Sequence, residues 1–176
     1  FNALKDFPYT FSMSAHTHNQ AQTFIDKSFG WQQEKPHHHY NVGTTSGNWY
    51  SGEFDSRGVP SATMADGTKK GYAVVTFKGN TYELDYYVSN APKDFKMEIF
   101  LPKVTVKRKN SKASMYVNYY LGGEKDTIDY RVNNGKWVRM NRTETLDPHL
   151  LLEVFKWDTS SELLKGERPN DPKLST

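Results

Sequence analysis

Cysteine is absent from the 176 residues, which excludes a disulfide framework, a thiolate metal site and a cysteine nucleophile. Long hydrophobic runs are absent too. No stretch approaches the ~20 apolar residues that span a bilayer, so no membrane span is expected, and no secretory-leader pattern stands at the start. Neither sign of charge dominates: 23 basic against 20 acidic residues leave a net charge of +3. That surplus is too small to argue a nucleic-acid surface. A phosphate-cradling glycine loop and a serine nucleophile elbow are also missing. Aromatic residues are plentiful. The 11 Tyr, 10 Phe and 4 Trp make up 14% of the chain, bulky core material despite a mean hydropathy of −0.80. A β-rich core follows, in a length that suits one domain or one and a fraction.

Short alternating segments separated by turn residues dominate the chain, the pattern of an all-β sandwich. Tyr9 to Met13, Gln22 to Asp26 and His38 to Thr44 read as strands. Phe1 to Lys5 reads as the end of a helix. Gly71 to Phe77 and Thr81 to Val88 flank Lys78-Gly79-Asn80 and make the clearest hairpin. Met97 to Leu101, Val104 to Val106 and Ala113 to Leu121 follow, and the basic run Lys103 to Lys112 reads as a charged edge. Asp126 to Val132 and Lys136 to Met140 flank Asn133-Asn134-Gly135, a strong turn signal. Asp147-Pro148 has the form of an N-cap with proline at the first helical position. Leu150, Leu151, Val154 and Phe155 give that helix an apolar side, and Ser160 to Gly166 reads as one more helical turn.

Chemistry concentrates in Ser14-Ala15-His16-Thr17-His18-Asn19. In an extended segment residues i and i+2 point to the same side, so both imidazoles can face one small site at the end of the preceding strand. Neutral imidazole is the commonest protein metal ligand. His37-His38-His39 offers a second cluster, but successive side chains in a strand alternate faces, so the three do not converge. Trp49 and Tyr50 are the right residues to stack on a sugar or base, although burial between domains is the plainer expectation. Asp66-Gly67-Thr68 lacks the ligand count of a calcium loop and reads as a turn into the hairpin. Lys69-Lys70 reads as surface.

Ser-Ala-His-Thr-His resembles the last metal-binding motif of calcineurin-like metallophosphoesterases, usually Gly-His-x-His. Ala15 stands where that family has Gly, and lacks glycine's easy access to positive φ. Downstream, the segment from His38 to Gly52 resembles the close of the catalytic domain in one bacterial branch. Met64 to Tyr72 resembles the opening of that branch's C-terminal domain, with Lys69 in place of its usual proline. Asn134 to Met140 and Asp147-Pro148 are similar to its later signature.

The resemblance implies a mainly β chain. Residues 1–52 would be the last strands of an α/β metallophosphoesterase domain. Residues 53–176 would be an accessory β-sandwich-like domain with one or two short helices near its C-terminus. It also implies phosphate-ester hydrolysis by a water activated on two divalent ions of Mn, Fe or Zn, with His16 on one metal and His18 on the other. The remaining ligands belong to Asp-x-His, Gly-Asp and Gly-Asn-His motifs, absent here and by the family's order upstream of Phe1. The chain alone would then hold at most two ligands and be inactive without the remainder of its catalytic domain. His38, His39, Asn19 and Trp49 would lie behind the ligands or at the substrate's entry. A periplasmic or secreted home is implied by the resemblance alone. The alternative is a stand-alone module that grips a glycan or peptide and carries a vestigial His pair.

Overall fold

The alternating segments become strands, most of them shorter than their sequence patterns. The computed structural model describes residues 1–104 and 112–174. Eleven strands occur among them: β1 Phe11–Ser14, β2 Ala21–Ile25, β3 His37–Asn41, β4 Gly52–Glu53, β5 Gly71–Lys78, β6 Thr81–Val88, β7 Met97–Phe100, β8 Tyr116–Tyr119, β9 Asp129–Tyr130, β10 Val138–Arg139 and β11 Gly166–Glu167. A single α-helix, α1, spans Pro148–Thr159. The chain is therefore mainly β. The edge strand expected over the basic run falls mostly on residues 105–111, outside the described residues.

One sheet has three strands in the order β1-β3-β2. β1 runs parallel to β3 in the register Phe11↔His38 to Ser14↔Asn41, and β2 runs antiparallel to β3 with Phe24 opposite His38. The other strands pair in twos: β5 with β6, β7 with β8, β9 with β10, and β4 with β11. In the β5–β6 hairpin Lys78 pairs with Thr81, so Gly79-Asn80 is the two-residue loop, with Gly79 at φ 62.

Met64, Tyr86 and Tyr120 form a buried core, with Ala73, Val88, Phe95 and Leu121 packed against it. It joins the β5–β6 hairpin, through Ala73, Tyr86 and Val88, to Tyr120 and Leu121 just after β8. Helix α1 is capped as its sequence dictates: the Asp147 carboxylate accepts from the Leu150 N–H at 2.9 Å, and Pro148 opens the first turn.

Three expectations need correction. Ser160 to Lys165 is not helical. The chain leaves α1 extended at Ser160 and runs on to β11, which pairs with Gly52–Glu53. Only Leu150 and Val154 are buried on α1, while Leu151 and Phe155 are 40% and 64% exposed. The helix rests on a narrower apolar stripe than its composition suggested. Phe1 to Lys5 yields a single 3-10 turn over Asn2–Leu4.

Position 52 is bridged by hydrogen bonds. The Gln20 N–H donates to Asp66 Oδ2 at 2.7 Å, the Asn48 N–H donates to the Ala62 carbonyl at 3.2 Å, and the Gln22 amide donates to the Leu121 carbonyl. Asp66 is 6% exposed. It also accepts from the Thr68 N–H at 2.9 Å and the Thr68 hydroxyl at 3.0 Å. Burial raises its pKa, with these donors opposing the rise.

Candidate functional site

β1 ends at Ser14, and His16 and His18 sit in the following loop rather than on an extended strand. The sharing of a side that extended geometry would impose therefore does not apply. Their backbones are left-handed, at φ 88 and φ 53, conformations that non-glycine residues adopt only where surroundings enforce them. Ala15 stays out of this region; the strain falls on the histidines instead. His16 is exposed and His18 half-buried. His18 Nδ1 is buried, with no hydrogen-bond partner among the described residues. Its ring packs on Trp49, centroids 4.7 Å apart at 31°.

Asn41, the last residue of β3, secures the loop. Its amide Nδ2 donates to the Asn19 carbonyl at 2.8 Å, to Asn19 Oδ1 at 3.1 Å and to the Thr17 hydroxyl at 2.7 Å. At the far end of the loop Gln20 Oε1 accepts from the Tyr40 hydroxyl at 2.5 Å and the Gly43 N–H at 3.1 Å. Tyr40 is fully buried, and burial drives its phenol well above the ordinary range.

The three consecutive histidines of β3 divide between faces, as strand alternation requires. His38 points to the aromatic face. It stacks on Phe24 at 4.4 Å and 13°, meets the edge of Phe11, and its Nδ1 pairs with the Tyr82 hydroxyl at 2.5 Å. His37 and His39 point to the other face, where Thr10, just before β1, and the β1 side chains Ser12 and Ser14 are interleaved with them. His37 bonds Thr10 at 2.8 Å and Ser12 at 2.7 Å; His39 bonds Ser12 at 2.7 Å and Ser14 at 2.9 Å. Burial and the neighbouring imidazoles lower the pKa of His37 and His38.

Trp49 and Tyr50 are 70% and 51% exposed. This corrects the expectation that they pack between domains. Both are left-handed at φ 59. Their turn is wedged by Gly47, where a Cβ would lie 1.7 Å from the Ala62 carbonyl oxygen. The side chains that bring Trp49 to His18 are thus aimed by a turn that only glycine can complete.

Lys69 corrects a second expectation, because it is largely buried rather than on the surface. It pairs with Glu153 at 3.1 Å and Glu98 at 3.5 Å, and His149 Nδ1 meets Glu98 at 3.2 Å. Burial works against its charge, but Glu153 and Glu98 outweigh that and raise its pKa. Nothing in the local sequence signals this network. It joins the segment after Asp66 to β7 and α1, elements far apart in the chain. The interleaved Ser/His face was equally unsignalled, although alternating Thr10-Ser12-Ser14 opposite His37-His39 could have suggested it once the parallel register was known.

Two imidazoles are suitable donors for Zn, Mn or Fe, and the unpartnered Nδ1 of His18 fits such a role. Among the described residues, however, no group of three or more His, Asp or Glu comes together to hold an ion. Likewise, no helix among the described residues is long and apolar enough to cross a membrane.

No curated protein and no solved structure matches the chain. A family profile does, over residues 39–176. The matched stretch takes in the end of β3 from His39 on, the Trp49 turn, the hairpin core and α1, and it begins at the histidine that bonds Ser12 and Ser14. The chain accordingly belongs to the family described as the C terminal of calcineurin-like phosphoesterase.

Proposed function

We propose that this chain is the C-terminal part of a metal-dependent phosphoesterase and that His16 and His18 supply two ligands of a dinuclear site. The single observation that carries the reading is the pairing of the family match with a strained, clamped loop. That loop presents two imidazoles, one with a buried and unpartnered nitrogen. Divalent ions of Mn, Fe or Zn bound there would polarise the phosphate ester and supply an activated water. The remaining ligands come from the rest of the catalytic domain, which would dock at the open edge of β1, paired on one side only. Asn19 and His39 would hold the ligand loop from behind, His38 would fix the far face of β3, and Trp49 would border the substrate's entry.

Residues 1–52 are then the end of the catalytic domain. Residues 53–176 form an accessory, sandwich-like β domain built on the core shared by the hairpin and β8. The two are tied by the Gln20–Asp66 and β4–β11 contacts rather than by a free linker. By itself the chain is expected to be inactive. The exposure of Trp49 and Tyr50 favours the second reading, a glycan- or peptide-binding module.

Metal content measured by mass spectrometry separates the two. About two ions per full-length protein, lost with His16→Ala and His18→Ala, is the expected result. Phosphatase activity of the 176-residue chain that survives His16→Ala would overturn it. Absence of metal from the full-length protein would transfer the case to the binding module.

A further inference from the structure

The polar face of the three-stranded sheet is a continuous chain of hydrogen bonds: Thr10, His37, Ser12, His39, Ser14, Asn41 and then the loop that carries His16 and His18. Its direction can be derived from one anchor. The backbone carbonyl of Asn19 can only accept, so the Asn41 group facing it at 2.8 Å is Nδ2, and Oδ1 faces Ser14 at 2.9 Å. Oδ1 can only accept, so the Ser14 hydroxyl donates to it. With its proton committed, Ser14 must accept from His39, which puts the His39 proton on Nε2. The neutral His39 Nδ1 then accepts from the Ser12 hydroxyl. Ser12 in turn accepts from His37 Nε2–H, and His37 Nδ1 accepts from Thr10. Every proton on the face is assigned by the network.

We propose that this face is a proton-ordered relay, with both imidazoles as Nε2–H tautomers, that positions the ligand loop through Asn41 and takes up one proton but not two. Ser12, His39 and Asn41 are positioning residues, acting on His16 and His18 through the loop. A proton added at His39 Nδ1 makes that nitrogen a donor to Ser12. The Ser12 hydroxyl then turns to His37 Nε2, the His37 proton resides on Nδ1 and donates to Thr10, and the Thr10 hydroxyl turns outward. The relay has gained one proton and kept every bond from Thr10 to Asn41. A second proton leaves Ser12 facing two N–H donors, with two positive charges separated by one hydroxyl.

Among the described residues, the groups that face the two rings are uncharged. Thr10 and the β1 residues Ser12 and Ser14 face the two rings, β2 places Ile25 and Thr23 opposite them, and Trp31 packs on His37 at 5.3 Å. The titratable His38 and Tyr82 lie on the other face. No carboxylate or ammonium forms an ion pair or hydrogen bond with His37 or His39 among the described residues.

The inference rests on the metal-site reading only for what the loop is positioned to do, and its test needs no metal. Nitrogen-15 NMR of the histidine rings in the metal-free 176-residue chain reads the tautomers directly. At about pH 8, above the ordinary imidazole range, Nε2–H should exceed Nδ1–H by about tenfold at both His37 and His39. On acidification the two rings should protonate in two separate steps. Ser12→Ala cuts the relay: His39, anchored from Asn41, keeps its tautomer, while His37 becomes a mixture, and Ser12→Thr restores the order. Should Ser12→Ala fail to fold, Thr10→Val tests the same logic, since Ser12 still dictates Nε2–H at His37. Mixed tautomers in the unmodified chain, simultaneous titration, or an unchanged His37 in Ser12→Ala would overturn the proposal. Ordered tautomers together with a full-length protein that binds no metal would leave the relay standing and remove the metal site.

Discussion

On one side of β3, His37 and His39 exchange hydrogen bonds with the hydroxyls of Thr10, Ser12 and Ser14 in a half-open polar row. On the other side, His38 lies flat between aromatic rings, a single phenol on its Nδ1 and, among the described residues, no partner on its buried Nε2. The residues are identical and adjacent, and the strand's alternation alone separates them. On the aromatic face imidazole serves as a flat packing surface that must stay neutral. On the polar face it serves as a two-ended connector whose proton position carries information along the sheet. The comparison shows that residue type at a site is a weak guide to role until the face is known.

The comparison breaks most severely at Tyr40, the fully buried neighbour of His38 on the aromatic face. Tyr40→Ala should cost about 3–5 kcal/mol of unfolding free energy in urea titrations, because it opens a cavity and leaves Gln20 Oε1 with the Gly43 N–H as its one remaining donor. A smaller effect, about 2–3 kcal/mol, is expected for Asp66→Asn. The amide nitrogen would face donors that the carboxylate now accepts from, at Gln20 or at Thr68. Hydrogen exchange at the Gln20 amide should accelerate in that variant.

Acid sharpens the contrast. His37 and His38 have pKa values lowered by burial, so they stay neutral in the fold where the unfolded chain would protonate. Below the ordinary value of about 6.5 the unfolded state binds more protons, and stability falls as pH drops through that point. Above it the contribution is complete and flat. His38→Phe retains the stack on Phe24 and should remove part of this slope in urea midpoints measured from about pH 7.5 to pH 5. A slope unchanged by His38→Phe would assign the whole effect to the polar face. The smallest stability change is expected from Ser12→Ala, about 1 kcal/mol, because the cut removes two hydrogen bonds but opens little volume, and the freed Nδ1 of the half-buried His39 can turn to water while His37 keeps its bond to Thr10. A cost as large as that of Tyr40→Ala would mean that the two faces are not energetically distinct.

Much of the fold was legible because it rests on local rules. Gly79-Asn80 between two alternating runs makes a hairpin whatever surrounds it, and Asp147-Pro148 caps a helix through its own carboxylate and fixed φ. The division of the three histidines between faces needed only strand alternation. The second helical turn at Ser160 to Gly166 was misread because Gly166–Glu167 finds its partner in Gly52–Glu53, more than a hundred residues away. Lys69 was misread for the same reason, its carboxylates being supplied by β7 and α1.

The sequence by itself determined the β-rich class, the main turns, the helix start and, through its resemblance, the family, since each depends on neighbours a few residues apart or on motifs in order. The tertiary structure alone decided the loop geometry of His16 and His18, the exposure of Trp49 and the hydroxyl–imidazole row. These depend on a parallel register between β1 and β3 and on a glycine turn wedged against Ala62. Such contacts join residues whose separation no local propensity encodes.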